Sequence, residues 1–194
     1  MEVSFFLYQK VRLIFIIANI KIEFKGEMKT YSIDDKDKIE LILKTEKICS
    51  VGFSDENGIP YVLPMNFGYE EDILYLHSGP EGKVIRILEQ NRNVCITFST
   101  QPKLIWQHPE VACSYRMQSA SVICNGKVEF EEDFDKKVRI LNIIMRQYID
   151  KEFKYSTPAV NNVKIWKVNI DTISAREFGV RHPNSATYKN SVSL

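Results

Sequence analysis

The residues with the richest chemistry lie in one short run, His77-Ser78-Gly79-Pro80-Glu81-Gly82-Lys83, where a strand-like segment gives way to a helical one. Glycines let a bound group approach the backbone, the first amides of a helix have no partner within it, and Lys83 adds a positive charge there. The combination suits a phosphate. On its local features alone, the loop reads more readily as a plain connection than as a phosphate cradle. His77 can exchange a proton near neutral pH, and the alternative is a strand-end histidine that only hydrogen-bonds its loop.

Other reactive constellations do not form. Cys49, Cys95, Cys113 and Cys124 make no C-x-x-C pair, and they read as buried free thiols in strand segments of a protein from a reducing compartment. Three histidines, His77, His108 and His182, are too few for a site built on several imidazoles, so no metal site is expected. His108, beside Pro109 and near Trp106, reads as surface or lid, His182 has no assigned role, and Arg116 reads as an exposed strand arginine. Lys and Arg number 26 against 25 acidic residues, a net charge of +1 that argues for neither a nucleic-acid nor a membrane surface.

The elements that must position the loop follow from periodicity. Ser32 with Asp35 resembles a capping box, and Ile39, Ile42 and Leu43 give a helical stripe to about Glu46. Cys49 to Phe53 and Ile59 to Tyr69 alternate as strands around Asp55-Glu56-Asn57-Gly58, whose Asn-Gly pair predicts a tight hairpin. Glu70-Glu71-Asp72 turns into a strand over Ile73 to His77. Val84, Ile87 and Leu88 mark a short helix ending near Asn91. Val94 to Phe98 and Ser119 to Phe130 read as strands, the second with a bend or bulge at Asn125-Gly126. Phe134, Val138, Leu141, Met145 and Tyr148 recur as the packing stripe of a helix from about Glu132 to Tyr148, and Val163 to Ile170 returns to strand. With 194 residues, 44% of them hydrophobic, one core is expected.

Residues 28–180 form the expected domain, and 181–194 a polar tail. Leu7 to Ile22 is apolar but interrupted by Gln9, Lys10, Arg12, Asn19 and Lys21, so it falls short of the roughly 20 residues that span a bilayer. Lys25-Gly26-Glu27 before Met28 is what a ribosome-binding sequence would encode, so residues 1–27 are expected to be an extension from a mis-assigned start.

Several segments together resemble the flavin-binding split barrels of the pyridoxamine 5'-phosphate oxidase-like superfamily, and most closely the nitroimidazole-resistance branch. They are Pro60-Tyr61-Val62-Leu63-Pro64-Met65-Asn66-Phe67, Tyr75-Leu76-His77-Ser78, Glu81-Gly82-Lys83, Asn91 to Phe98, Ser121 to Val128, Met145-Arg146-Gln147-Tyr148 and Glu177-Phe178-Gly179. The resemblance implies an α+β fold, an antiparallel split β-barrel of about six strands with flanking helices. It also implies FMN as cofactor, a homodimer with FMN at its interface, a cytoplasmic location and an oxidoreductase acting on a small acceptor such as a nitroaromatic. In that pattern Val62, Pro64, Met65 and Asn66 lie along the flavin, with Leu76, His77 and Ser78 at its edge. Gly82 and Lys83 hold the phosphate, Ser121 meets the ring, and His77 is the catalytic candidate. Gly82-Lys83 replaces the Arg-Lys of true pyridoxamine-phosphate oxidases, and Arg181-His182 replaces their Arg-x-His, which disfavours oxidation of the vitamin. Ser119 stands where the branch often has a tyrosine. A flavin-binding protein without turnover, or a haem-binding or haem-degrading protein with His77 or His108 as axial ligand, are the alternatives.

Overall fold

The computed structural model describes residues 30–180. The expectations for residues 1–27 and for the tail, His182 included, lie outside the described residues. Nine strands are present among them: β1 (Tyr31–Ser32), β2 (Cys49–Ser54), β3 (Pro60–Met65), β4 (Gly68–Glu70), β5 (Ile73–Ser78), β6 (Asn93–Ser99), β7 (Lys103–Ile105), β8 (Arg116–Glu131) and β9 (Lys164–Phe178). The α-helices are α1 (Lys36–Thr45), α2 (Lys83–Gln90), α3 (Phe134–Arg146) and α4 (Thr157–Asn161). All ladders are antiparallel and run β3-β2-β6-β8-β9-β5-β4, with β1 added on β9 and β7 on β8. The architecture is α+β, a split barrel whose sheet curls without closing.

Local chemistry explains the turns. Gly58 takes φ +77°, and the Asp55 carboxylate accepts from the amides of Asn57 and Ile59 at 2.9 and 2.8 Å, which fixes the β2–β3 hairpin. Glu71 and Asp72 both adopt positive φ, the backbone that a two-residue hairpin turn demands. The register of β8 against β9 shifts between Asn125 and Gly126, where the bulge is expected. A Cβ on Gly126 would lie 2.2 Å from the carbonyl oxygen of Asn169, so the two strands approach there as only glycine allows.

Curling brings distant strands together over one core. Phe53 of β2 meets Trp166 of β9 edge-on at 6.0 Å and 86°, and Phe67 meets Phe98 at 4.8 Å and 69°. Leu74 and Leu76 face this core, while Tyr75 on the opposite face of β5 packs with Ile140, Ile143, Ile144 and Ile165 beneath α3.

Several expectations need correction. The stretch Ile59 to Tyr69 is two strands, because Phe67 turns into the core and its amide and carbonyl both bond the Tyr148 hydroxyl, at 2.9 and 3.1 Å. Ser32 lies in β1 opposite Arg176, and Asp35 alone caps α1 through the amides of Asp37 and Lys38. On α3 the buried stripe is Lys137, Ile140, Ile143 and Ile144, while Phe134 is exposed and Leu141 and Tyr148 pack only at the flank. Cys49 and Cys124 are buried, but Cys95 points outward from β6 and Cys113 sits in a 3-10 turn, both exposed.

Candidate functional site

β5 delivers Leu76, His77 and Ser78 to the start of the loop, opposite Trp166, Ile165 and Lys164 of β9. The Ser78 hydroxyl donates to the carbonyl of Gly79 at 2.8 Å. Gly82 then takes φ +134°, which disfavours any side chain, although a Cβ there would meet nothing within 4 Å. Its role is conformational rather than steric. It precedes α2 with no side-chain cap, so the first amides of the helix point out as donors and favour negative charge at that end. Lys83 opens α2 and holds its ammonium 4.1 Å from the centroid of the Tyr61 ring. Tyr61 lies on β3 opposite Phe53, so the loop after β5 is docked on the far end of the strand path.

Along β3 the alternation puts Tyr61, Leu63 and Met65 toward the core and leaves Val62, Pro64 and then Asn66 exposed. Val62 is 60% exposed, and with Gly52, Cys95 and Asn125 it lines a cavity of about 410 Å³ on the outer face of the sheet. Leu76 differs from its neighbours. Its side chain is fully buried in the core, so only its backbone can edge a surface site.

His77 is exposed, yet the protein packed around it disfavours the imidazolium and lowers its pKa from the ordinary value by desolvation. Ser121 is half-buried on β8, opposite Ser99 and Arg176. One chain therefore brings Gly82 and Lys83 to β3, and separates Ser121 from His77 along β9. Their ladder partners on β9, Arg176 and Ile165, lie eleven positions apart along the strand, a span of at most about 36 Å at full extension.

Several resembling segments hold the scaffold. Gln147 Nε2 donates to the carbonyls of Leu43, Lys44 and Glu46 at 2.9, 3.1 and 2.8 Å, satisfying the end of α1. The Asn91 side chain ties α2 to β2 by donating to the Ser54 carbonyl at 3.1 Å. Gly179 takes φ +67° and passes so close to β8 that a Cβ would lie 2.2 Å from the Met117 oxygen, while Arg116 Nε donates to its carbonyl at 2.9 Å. Arg116 is thus half-buried and ties β8 to the end of β9, rather than standing exposed. His108 is built into its own loop: its Nδ1 accepts from the Glu110 amide at 3.3 Å, and Ser114 bonds both its amide and its carbonyl. Tyr61 is the site residue that sequence reasoning missed. Its inward place on β3 was readable from alternation, but its contact with Lys83 depends on how the sheet curls.

Comparison with known proteins agrees with this fold. The family model described as pyridoxamine 5'-phosphate oxidase matches residues 35–177. The chain belongs to this family. Among solved structures it is similar to a Bacteroides thetaiotaomicron protein to which 5-nitroimidazole antibiotic resistance is ascribed, with 55% identity over 78% of this chain and 89% of that one, TM-score 0.72. It shares the fold of the flavocytochrome Anf3 from Azotobacter vinelandii, at 21% identity, TM-score 0.66 and coverage of 84% and 76%. A Mycobacterium smegmatis protein that binds FAD and haem has the same fold, at 14% identity, TM-score 0.68 and coverage of 84% and 80%. No curated protein matches the sequence. No helix among the described residues is long and apolar enough to cross a membrane.

Proposed function

We propose that the protein is an FMN-dependent oxidoreductase that works as a homodimer and reduces a small acceptor. The observation that carries this reading is the open end of α2. Gly82 in its positive-φ conformation, uncapped helix amides and Lys83 held over Tyr61 make a cradle suited to a phosphate at the edge of β3. The exposed backbone edge and the outward residues Val62, Pro64 and Asn66 of the β3 region supply a surface for a flat ring. Bound FMN would supply the redox chemistry, and the chain would bind, orient and shield it.

The placing of Ser121 and His77 toward opposite ends of β9 supports a dimer, in which one site draws on both ends through two copies. Apolar side chains left outside, including Ile48, Ile59 and Val62, fit a covered surface of this kind. The nitroaromatic acceptor is suggested by the resistance ascribed to the Bacteroides protein. Unpaired buried thiols at Cys49 and Cys124 fit a cytoplasmic, reducing location.

The test is a visible spectrum of the purified protein, followed by anaerobic titration with NADH or NADPH and then with a nitroimidazole. Flavin bands that bleach with donor and return with acceptor support the reading. A colourless protein that takes up no added FMN overturns it. A flavin that no donor reduces leaves a binding protein, and a Soret band replaces flavin with haem.

A further inference from the structure

We infer that Tyr61 is a positioning residue for the phosphate site, holding the Lys83 ammonium by its ring face; this rests on the reading that Lys83 meets the FMN phosphate. A lysine at the start of a helix has a long stem with many rotamers, and Lys83 is exposed. Left alone, it would lose conformational freedom on meeting an anion. In the structure its nitrogen already stands 4.1 Å from the Tyr61 centroid, well within the range of a cation–π contact. None of the described ion pairs includes Lys83. That difference is chemical as well as geometric. A carboxylate would both position the ammonium and compete with a phosphate for it, whereas a ring face attracts the cation and leaves its charge for the ligand.

Tyr61 can do this because it is itself fixed. Its ring lies 6.3 Å from that of Phe53, which meets Trp166 edge-on at 6.0 Å, and both of those rings are buried. A line of aromatic contacts thus runs from the core to the ammonium, anchoring a surface charge to buried rings of the barrel. The loop length between Ser78 and Lys83 alone would not fix it.

The experiment compares the affinities for FMN and riboflavin, which differ by the phosphate, in the wild type and in Tyr61→Phe, Tyr61→Leu and Lys83→Met, using quenching of flavin fluorescence. Tyr61→Phe keeps the ring face and should keep the preference for FMN. Tyr61→Leu should lower that preference by about two- to tenfold, the cost of the side-chain freedom that a released lysine loses on meeting the phosphate, with riboflavin affinity unchanged. In the Lys83→Met background the same change should have no further effect on the preference. Equal losses for both flavins, or a loss that persists without Lys83, would make Tyr61 a packing residue only. A folded wild type that binds riboflavin and FMN equally removes the phosphate site itself and this role with it. Should Tyr61→Leu fail to fold, proton NMR of the wild type decides: the Lys83 side-chain methylene signals lie upfield if the ring covers them, and ordinary shifts overturn the assignment.

Discussion

His77 and Ser121 are held by the same strand at its opposite ends, His77 opposite Ile165 and Ser121 opposite Arg176. No movement of a loop can join them, because the ladders between β5, β9 and β8 fix both positions. If they serve one flavin, they come from two protomers, and cofactor retention depends on association. On dilution, the drop in mass from dimer to monomer, followed by light scattering, should coincide with release of free FMN fluorescence. Flavin retained by a monomer would separate Ser121 from the site.

Lys83→Ala should weaken FMN binding by about 1.5–3 kcal/mol, the usual worth of a hydrogen bond to a charged group, and leave riboflavin binding unchanged. Titration calorimetry with both ligands reads this directly. An unchanged FMN affinity would move the phosphate away from α2.

The bonds of Gln147 to three carbonyls at the end of α1 make it a scaffold residue, whatever motif it belongs to. Gln147→Leu leaves those groups short of a donor where the side chain is buried, and should cost about 1–3 kcal/mol in a denaturant melt. The bound-flavin spectrum below the transition should not change. Loss of flavin without loss of stability would contradict the scaffold role.

What could be read from the sequence was what depends on neighbours in the chain. The Asn57-Gly58 hairpin, the extent of α2 to Asn91 and the bulge at Asn125-Gly126 each follow from residues within a few positions of one another. β1 and β7 could not be read, since two or three residues carry no periodicity and their strand character comes from pairing with β9 and β8. Nor could the break at Phe67, which depends on a tyrosine hydroxyl from the far end of α3. The loop before α2 showed in the sequence as a glycine and a lysine at a helix start. The buried side chain of Leu76 did not, because α3 covers the second face of β5 and erases the in-and-out alternation there.

Gly126→Ala should destabilise the barrel by about 1–3 kcal/mol or more, because the new methyl would meet the backbone oxygen of Asn169 at 2.2 Å and the two longest strands would have to part. A thermal melt checks it. Wild-type stability would show that the bulge can move to another residue.

The last prediction concerns His77, the one titratable group linking the cradle to a proton transfer. Desolvation lowers its pKa, so at neutral pH it is neutral and its proton-donating form grows only as the pH falls below the ordinary imidazole range. If that form delivers a proton to the reduced acceptor, turnover at saturating FMN should rise toward acid pH, and His77→Ala should erase this limb. The loss should be about 10²- to 10⁴-fold in rate, with FMN affinity changed by no more than about 0.5–1.5 kcal/mol. Stability moves the other way. The folded protein binds this proton less readily than the unfolded chain, so wild-type stability should fall as the pH drops from the ordinary value through the lowered one, and His77→Ala should flatten that part of the curve. Measuring rate and melting on the same pair of proteins separates two roles. A flattened stability curve with an unchanged rate profile makes His77 a strand-end residue that is merely desolvated, and loss of the acid limb makes it the proton donor.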